Sequence, residues 1–162
     1  LTKRYKRNVD QAYDNLEEIV MFIKDYENLQ KLSSEVKDLQ YEINNKNYQN
    51  SISIIDSLFE KLSEISGTGE FANRLDDLYS LVDSEEIDEN KISDASSEAF
   101  ILFDKEVNWR KDAAQNLMPE LEKYNEVIKN NIGLRLQSRL TKEQAKFFAS
   151  CNSIHRDISL NF

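Results

Sequence analysis

The one cysteine and the one histidine of this chain, Cys151 and His155, stand four residues apart. On a helix that spacing places both on one face, where a thiol and an imidazole can serve as nucleophile and base. Such a pair also needs a group to orient the imidazole and donors for an oxyanion, and no recognisable motif supplies either. Phe148, Cys151, His155, Ile158 and Phe162 follow one another at three and four, so the pair reads as part of a packed apolar stripe with an inert thiol. One histidine and one cysteine cannot assemble a Cys₂His₂ or multi-histidine metal centre. A di-iron bundle wants Glu-x-x-His, and Asn152 stands three before His155. Neighbouring carboxylates such as Glu17-Glu18, Asp76-Asp77 and Glu85-Glu86 point in different directions on a helix and solvate it, whereas acid–base work needs two carboxyls in unlike environments. Gly67-Thr68-Gly69 lacks the third glycine and the lysine of a phosphate loop. The acidic stretch 83–94, DSEEIDENKISD, lacks the calcium-loop spacing of glycine and glutamate. The expectation is a chain with no catalytic residue, no cofactor and no metal: not an enzyme.

Trp109 and Arg110 are the residues that stand out. Arg110 occupies a seam position where the helical pattern asks for an apolar side chain, and a polar residue there can set register or partner choice. Tryptophan and arginine are also the types most enriched at binding hot spots. This pair is the candidate partner contact. The rival reading is a slightly rotated helix, with Arg110 on the rim and Trp109 packed.

The elements that position these residues are legible as a heptad rhythm. Tyr5, Val9, Ala12, Leu16, Ile19, Ile23 and Tyr26 draw one apolar stripe down a helix. After Tyr26 the seam steps to Leu29, Leu32, Val36, Leu39 and Ile43, and the step from Tyr26 to Val36 is one heptad plus three. Either the helix continues, locally overwound, or the chain turns and restarts with Ser33 or Ser34 as N-cap; the lack of Gly or Pro favours continuity. Asn44–Asn47 reads as a turn, because asparagine competes with the helix for its own backbone. Tyr48, Ile52, Ile55, Phe59, Leu62 and Ile65 form the next stripe, closed at Ser66–Gly69, and a shorter one follows on Phe71, Leu75, Leu78 and Val82. Residues 83–94 read as a solvated loop. Phe100, Phe103, Val107, Arg110, Ala114, Leu117, Leu121, Tyr124 and Ile128 resume the pattern, with a kink or restart expected between Gln115 and Pro119. Asn130–Gly133 should stop that helix, and Thr141–Gln144 reads as a capping box. The fold class is therefore all-α: an elongated helical bundle with coiled-coil-like packing of about five to seven helices. Its divisions are 1–66, long helices as a hairpin or continuous rod; 67–94, a short helix and acidic loop; and 95–162, C-terminal helices packing on the first part.

Composition narrows the partners. The 162 residues carry 21 basic and 30 acidic side chains, a net charge of −9, which disfavours a nucleic-acid surface. The local exception is Lys3, Arg4, Lys6 and Arg7, read as a solvated first turn with a peripheral contact to an anionic membrane as the alternative. No apolar run reaches spanning length and no signal peptide is visible, so there is no transmembrane segment to expect. A single cysteine mildly favours a reducing, cytoplasmic setting.

The stretches LEEIVMFIKDYENLQKLSSEV and YEINNKNYQNSISIIDSLFEKL, between Leu16 and Ile65, resemble the N-terminal part of helical-rod subunits of eukaryotic vesicle-tethering complexes. The segment FDKEVNWRKDAAQNLMPEL, Phe103 to Leu121, is similar to helical scaffold proteins of autophagy initiation. The resemblance implies a non-enzymatic scaffold or tether in a multi-subunit complex, binding other protein subunits through helix faces. The alternative is an extracytoplasmic four-helix ligand-sensing domain of a bacterial receptor, against which the interruptions near 67, 119 and 133 count.

Overall fold

The computed structural model describes the backbone from Thr2 to Asn131 and the side chains of residues 10–127. Among these residues there is no strand. Five helical segments follow in order: α1 (Thr2–Lys31), α2 (Ser33–Asn44), α3 (Tyr48–Leu62), α4 (Gly69–Val82) and α5 (Glu89–Asn131). Since α2 continues α1 across one residue, the described chain makes four helical rods, fewer than the five to seven expected. The cap and last helix expected after Gly133, with Cys151 and His155, lie outside the described residues.

The α1–α2 junction resolves the register shift. The Leu32 amide donates to the Leu29 carbonyl at 3.1 Å, three residues back rather than four, and the Val36 amide then returns to the Leu32 carbonyl at 2.9 Å. One tightened turn absorbs a spacing three residues longer than a heptad, as an overwound helix must. Leu32 keeps right-handed helical dihedrals, and no serine side chain caps α2. Leu29, Leu32, Val36, Leu39 and Ile43 are all buried.

By packing, the described residues fall into two compact units. Asp25–Arg110 is one, and the described residues before and after it belong to the other. The second buries Ala12, Leu16, Ile19, Val20 and Ile23 from α1, and Ala114 and Leu121 from α5. In Asp25–Arg110, α2 packs on α3 and α3 on α4. The α2–α3 pair is tied by Glu35, which takes hydrogen bonds from Lys61 and, at 3.2 Å, from the Ser57 hydroxyl. Its core runs from Leu29 through Leu58 and Phe71 to Phe103, with the Phe71 and Phe103 rings 5.2 Å apart.

Two turns make these helices antiparallel neighbours by different chemistry. After α2, the Lys46 amide donates to Ile43 and the Asn47 amide to Glu42, the paired bonds of a Schellman closure. Lys46 is the left-handed residue, at φ 61°, where glycine is usual. Lys46→Gly is expected to stabilise the fold by about 0.5 kcal/mol, the relief of a left-handed side chain partly offset by unfolded-chain entropy and an exposed ion pair to Glu89. A lower melting temperature in this variant would contradict the assignment. After α3, Gly67 takes φ 75° and the buried Thr68 hydroxyl lies 3.1 and 3.0 Å from the Leu62 and Ile65 carbonyls, closing the helix end.

Two sequence expectations are corrected here. The loop read as 83–94 ends at Asp88, whose carboxylate accepts the amides of Asn90 at 3.1 Å and Lys91 at 3.2 Å. That is an N-cap, and it starts α5 at Glu89. Ile87 and Ile92 stand at the flanking positions of a hydrophobic staple, and Ile92 is buried. Of the kink or restart expected at Pro119, the restart does not occur: α5 runs from Glu89 to Asn131 with Pro119 inside it. Proline deprives the Gln115 carbonyl of its helical donor; both residues are exposed, so water can satisfy that carbonyl.

Candidate functional site

Trp109 and Arg110 are neighbours on α5 with opposite fates. Arg110 is 3% exposed and Trp109 45%. The buried guanidinium reaches out of α5 to the α3–α4 turn, where its Nη2 donates to the Ser66 carbonyl at 2.8 Å. A β-carbon on Gly67 would lie 3.0 Å from that same Nη2, and φ 75° independently disfavours a side chain there. Glycine at 67 thus lets the turn come down onto Arg110.

Glu106, one turn back on α5, completes the group. Its Oε2 accepts the Trp109 indole N–H at 2.7 Å and stands 3.9 Å from Arg110 Nε, an ion pair too long for a hydrogen bond. Arg110 Nε has no hydrogen-bond partner among the described residues. The guanidinium carbon lies 5.2 Å from the centre of the indole ring, within reach of a cation–π attraction. The arrangement holds no nucleophile and no base–orienter pair; what it offers is a fixed aromatic surface beside a buried, partnered cation.

The other exposed apolar residue on this part of α5 is Ile101, 68% exposed, eight residues before Trp109. Phe103, between them, is buried against Phe71, so Ile101 and Trp109 belong to the solvent-facing side. The sequence singled out Trp109 and Arg110 but not Ile101, Glu106 or Gly67. An apolar residue outside the core repeat was the available signal for Ile101. A cation on a seam with a carboxylate four residues before it was the signal for Glu106.

No family model, curated protein or solved structure matches the chain. The likeness to tethering and autophagy scaffolds therefore rests on the stretches quoted for it. Among the described residues, no cluster of His, Cys, Asp or Glu is placed to hold a metal ion, and no helix is long and apolar enough to cross a membrane. Lys3, Arg4, Lys6 and Arg7 lie on α1 ahead of the residues whose side chains are described.

Among the described residues, Tyr79 and Tyr26 carry electrostatic shifts. The carboxylates of Asp56 and Asp83, with burial a lesser cause, push the Tyr79 hydroxyl above its ordinary pKa; burial and then Glu27 do the same for Tyr26. A raised folded-state pKa means that the unfolded chain loses these protons first. Their contribution is thus fully present below the ordinary tyrosine pKa and is lost as pH rises through the folded values. In an alkaline titration, part of the phenolate absorbance should appear late, and the late part should shrink in Tyr79→Phe. An unchanged curve in that variant would contradict the assignment.

Proposed function

We propose that this chain is a non-enzymatic scaffold or tethering module that binds other protein subunits through the exposed side of α5. The observation that carries this reading is the exposure of two large apolar side chains, Ile101 and Trp109, on one helix, whereas the unit's other such residues, Tyr41 and Ile87, stand singly. Scattered apolar residues are normal on a surface. A tryptophan held in place by a carboxylate is less so, since its side-chain freedom is already restricted before any partner arrives. Vesicle traffic or autophagy is the setting that the resemblance favours, with a cytoplasmic location. Peripheral membrane contact through Lys3, Arg4, Lys6 and Arg7 belongs to the same reading.

The test is affinity purification of the full-length protein from its own cells, with mass spectrometry, for the wild type beside Ile101→Ala and Trp109→Ala. Loss of a hot-spot aromatic typically weakens binding by about 2 kcal/mol, roughly thirtyfold. A partner set recovered with the wild type and depleted with both variants is expected. Equal recovery with all three would remove α5 as the contact, and a wild type recovered alone would remove the scaffold reading.

One observation favours the second reading, an extracytoplasmic four-helix sensor domain. The uninterrupted passage of α5 through Pro119 removes one of the three interruptions that weigh against long first and last helices. A sensor of this kind lies between two membrane helices, so flanking sequence with a spanning segment on each side would replace the scaffold reading by this one.

A further inference from the structure

We propose that Glu106, Trp109 and Arg110 form a latch, in which the exposed indole of Trp109 determines whether buried Arg110 holds the α3–α4 turn. One carboxylate oxygen serves both neighbours. Glu106 Oε2 both accepts the indole N–H at 2.7 Å and faces Arg110 Nε at 3.9 Å. Engaged by the indole, the carboxylate stops short of Nε, which has no hydrogen-bond partner among the described residues. The guanidinium instead donates through Nη2 to the Ser66 carbonyl beside left-handed Gly67.

Freed from the indole, the carboxylate has a better option. A guanidinium and a carboxylate prefer direct charge-assisted hydrogen bonds to a gap near 4 Å, and Nε is the open donor. Closing that gap draws the guanidinium towards Glu106 and off Ser66. The group thus has two discrete arrangements, one with the turn held and one with it released, and the indole biases the choice. A partner that takes Trp109 into its own surface would release the turn. The latch rests on the proposed function only for that identification of what draws the indole away.

The experiment needs no partner. Amide hydrogen exchange is measured at Glu64 and Ile65, whose bonds to the Lys61 and Leu62 carbonyls close the turn, with Lys46 and Asn47 as the control turn. Trp109→Phe keeps an aromatic ring and removes the N–H. It is expected to speed exchange at 64–65 by about three- to tenfold, less than the complete loss of a hydrogen bond to a charged group because the turn is released only part of the time. Glu106→Ala removes the competitor for Arg110 and is expected to leave 64–65 no faster than in the wild type. In the double variant, Trp109→Phe should then have no further effect. The latch is overturned if Trp109→Phe leaves 64–65 unchanged, or if it speeds the control turn equally. It is also overturned if the double variant exchanges as fast as Trp109→Phe alone.

Discussion

Arg110→Ala is expected to destabilise the fold by about 2–3 kcal/mol, lowering the melting temperature by roughly 5–10 °C. Three losses add up. The Ser66 carbonyl loses a charge-assisted donor at 2.8 Å, the half-buried Glu106 carboxylate loses its counter-charge, and the buried aliphatic stem leaves a void between α5 and the turn. Arg110→Lys keeps the charge but not the fork that reaches Ser66 while facing Glu106, and should recover only part of the loss. Thermal unfolding followed by circular dichroism checks both variants. A melting temperature for Arg110→Ala within a degree or so of the wild type would mean that Arg110 does not hold the turn.

Phe71→Ala is expected to cost more, about 3–5 kcal/mol, a large share of the stability of an ordinary domain. Phe71 is 1% exposed, and its ring packs 5.2 Å from Phe103, so truncation opens a cavity where α4 meets α5. Phe100, half-buried on α5 with Phe103, is the internal control. Phe100→Ala should lose far less, because a partly exposed site leaves no closed void. Denaturant titration separates the two, and equal losses would contradict the placement of the core.

Where apolar side chains at three and four face a core, the sequence was readable. Leu29, Leu32, Val36, Leu39 and Ile43 in α1–α2, and Phe71, Leu75, Leu78 and Val82 in α4, are all buried as their spacing requires. In α3 the pattern misled. The buried stripe is Ser51, Ile55, Leu58 and Leu62, continued by Ile65 in the turn beyond, while Tyr48, Ile52 and Phe59 are only partly covered. The stripe begins with a serine, hidden because its hydroxyl donates to the Asn47 carbonyl at 3.1 Å, and hydropathy cannot see a polar atom that is satisfied locally. Asp88 was concealed by its setting, an N-cap among carboxylates that all look like loop. The restart considered at Pro119 does not occur, because the one carbonyl that loses its donor faces water.

The site was half legible for a related reason. A seam arginine announces that a cation is buried or that the helix is rotated, and only the partner decides which. Here the partner is a backbone carbonyl at Ser66, and carbonyls carry no sequence signature. Gly67, which lets that carbonyl approach, was read only as a helix terminator. Trp109 lies about 100° round the helix from Arg110, and here that turn carries it from the core to the surface, whereas the neighbours Ile19 and Val20 of α1 are both buried.

Thermal unfolding of Trp109→Ala and Arg110→Ala, side by side, bears on this pair: adjacent positions on α5 carry a half-exposed indole and a buried clamp. Trp109→Ala is expected to stay within about 1 kcal/mol of the wild type, as befits a partly exposed cation–π and hydrogen-bonded ring. Arg110→Ala should melt well below both. A Trp109→Ala protein that melts as low as Arg110→Ala, or lower, would place the indole in the core and contradict the account.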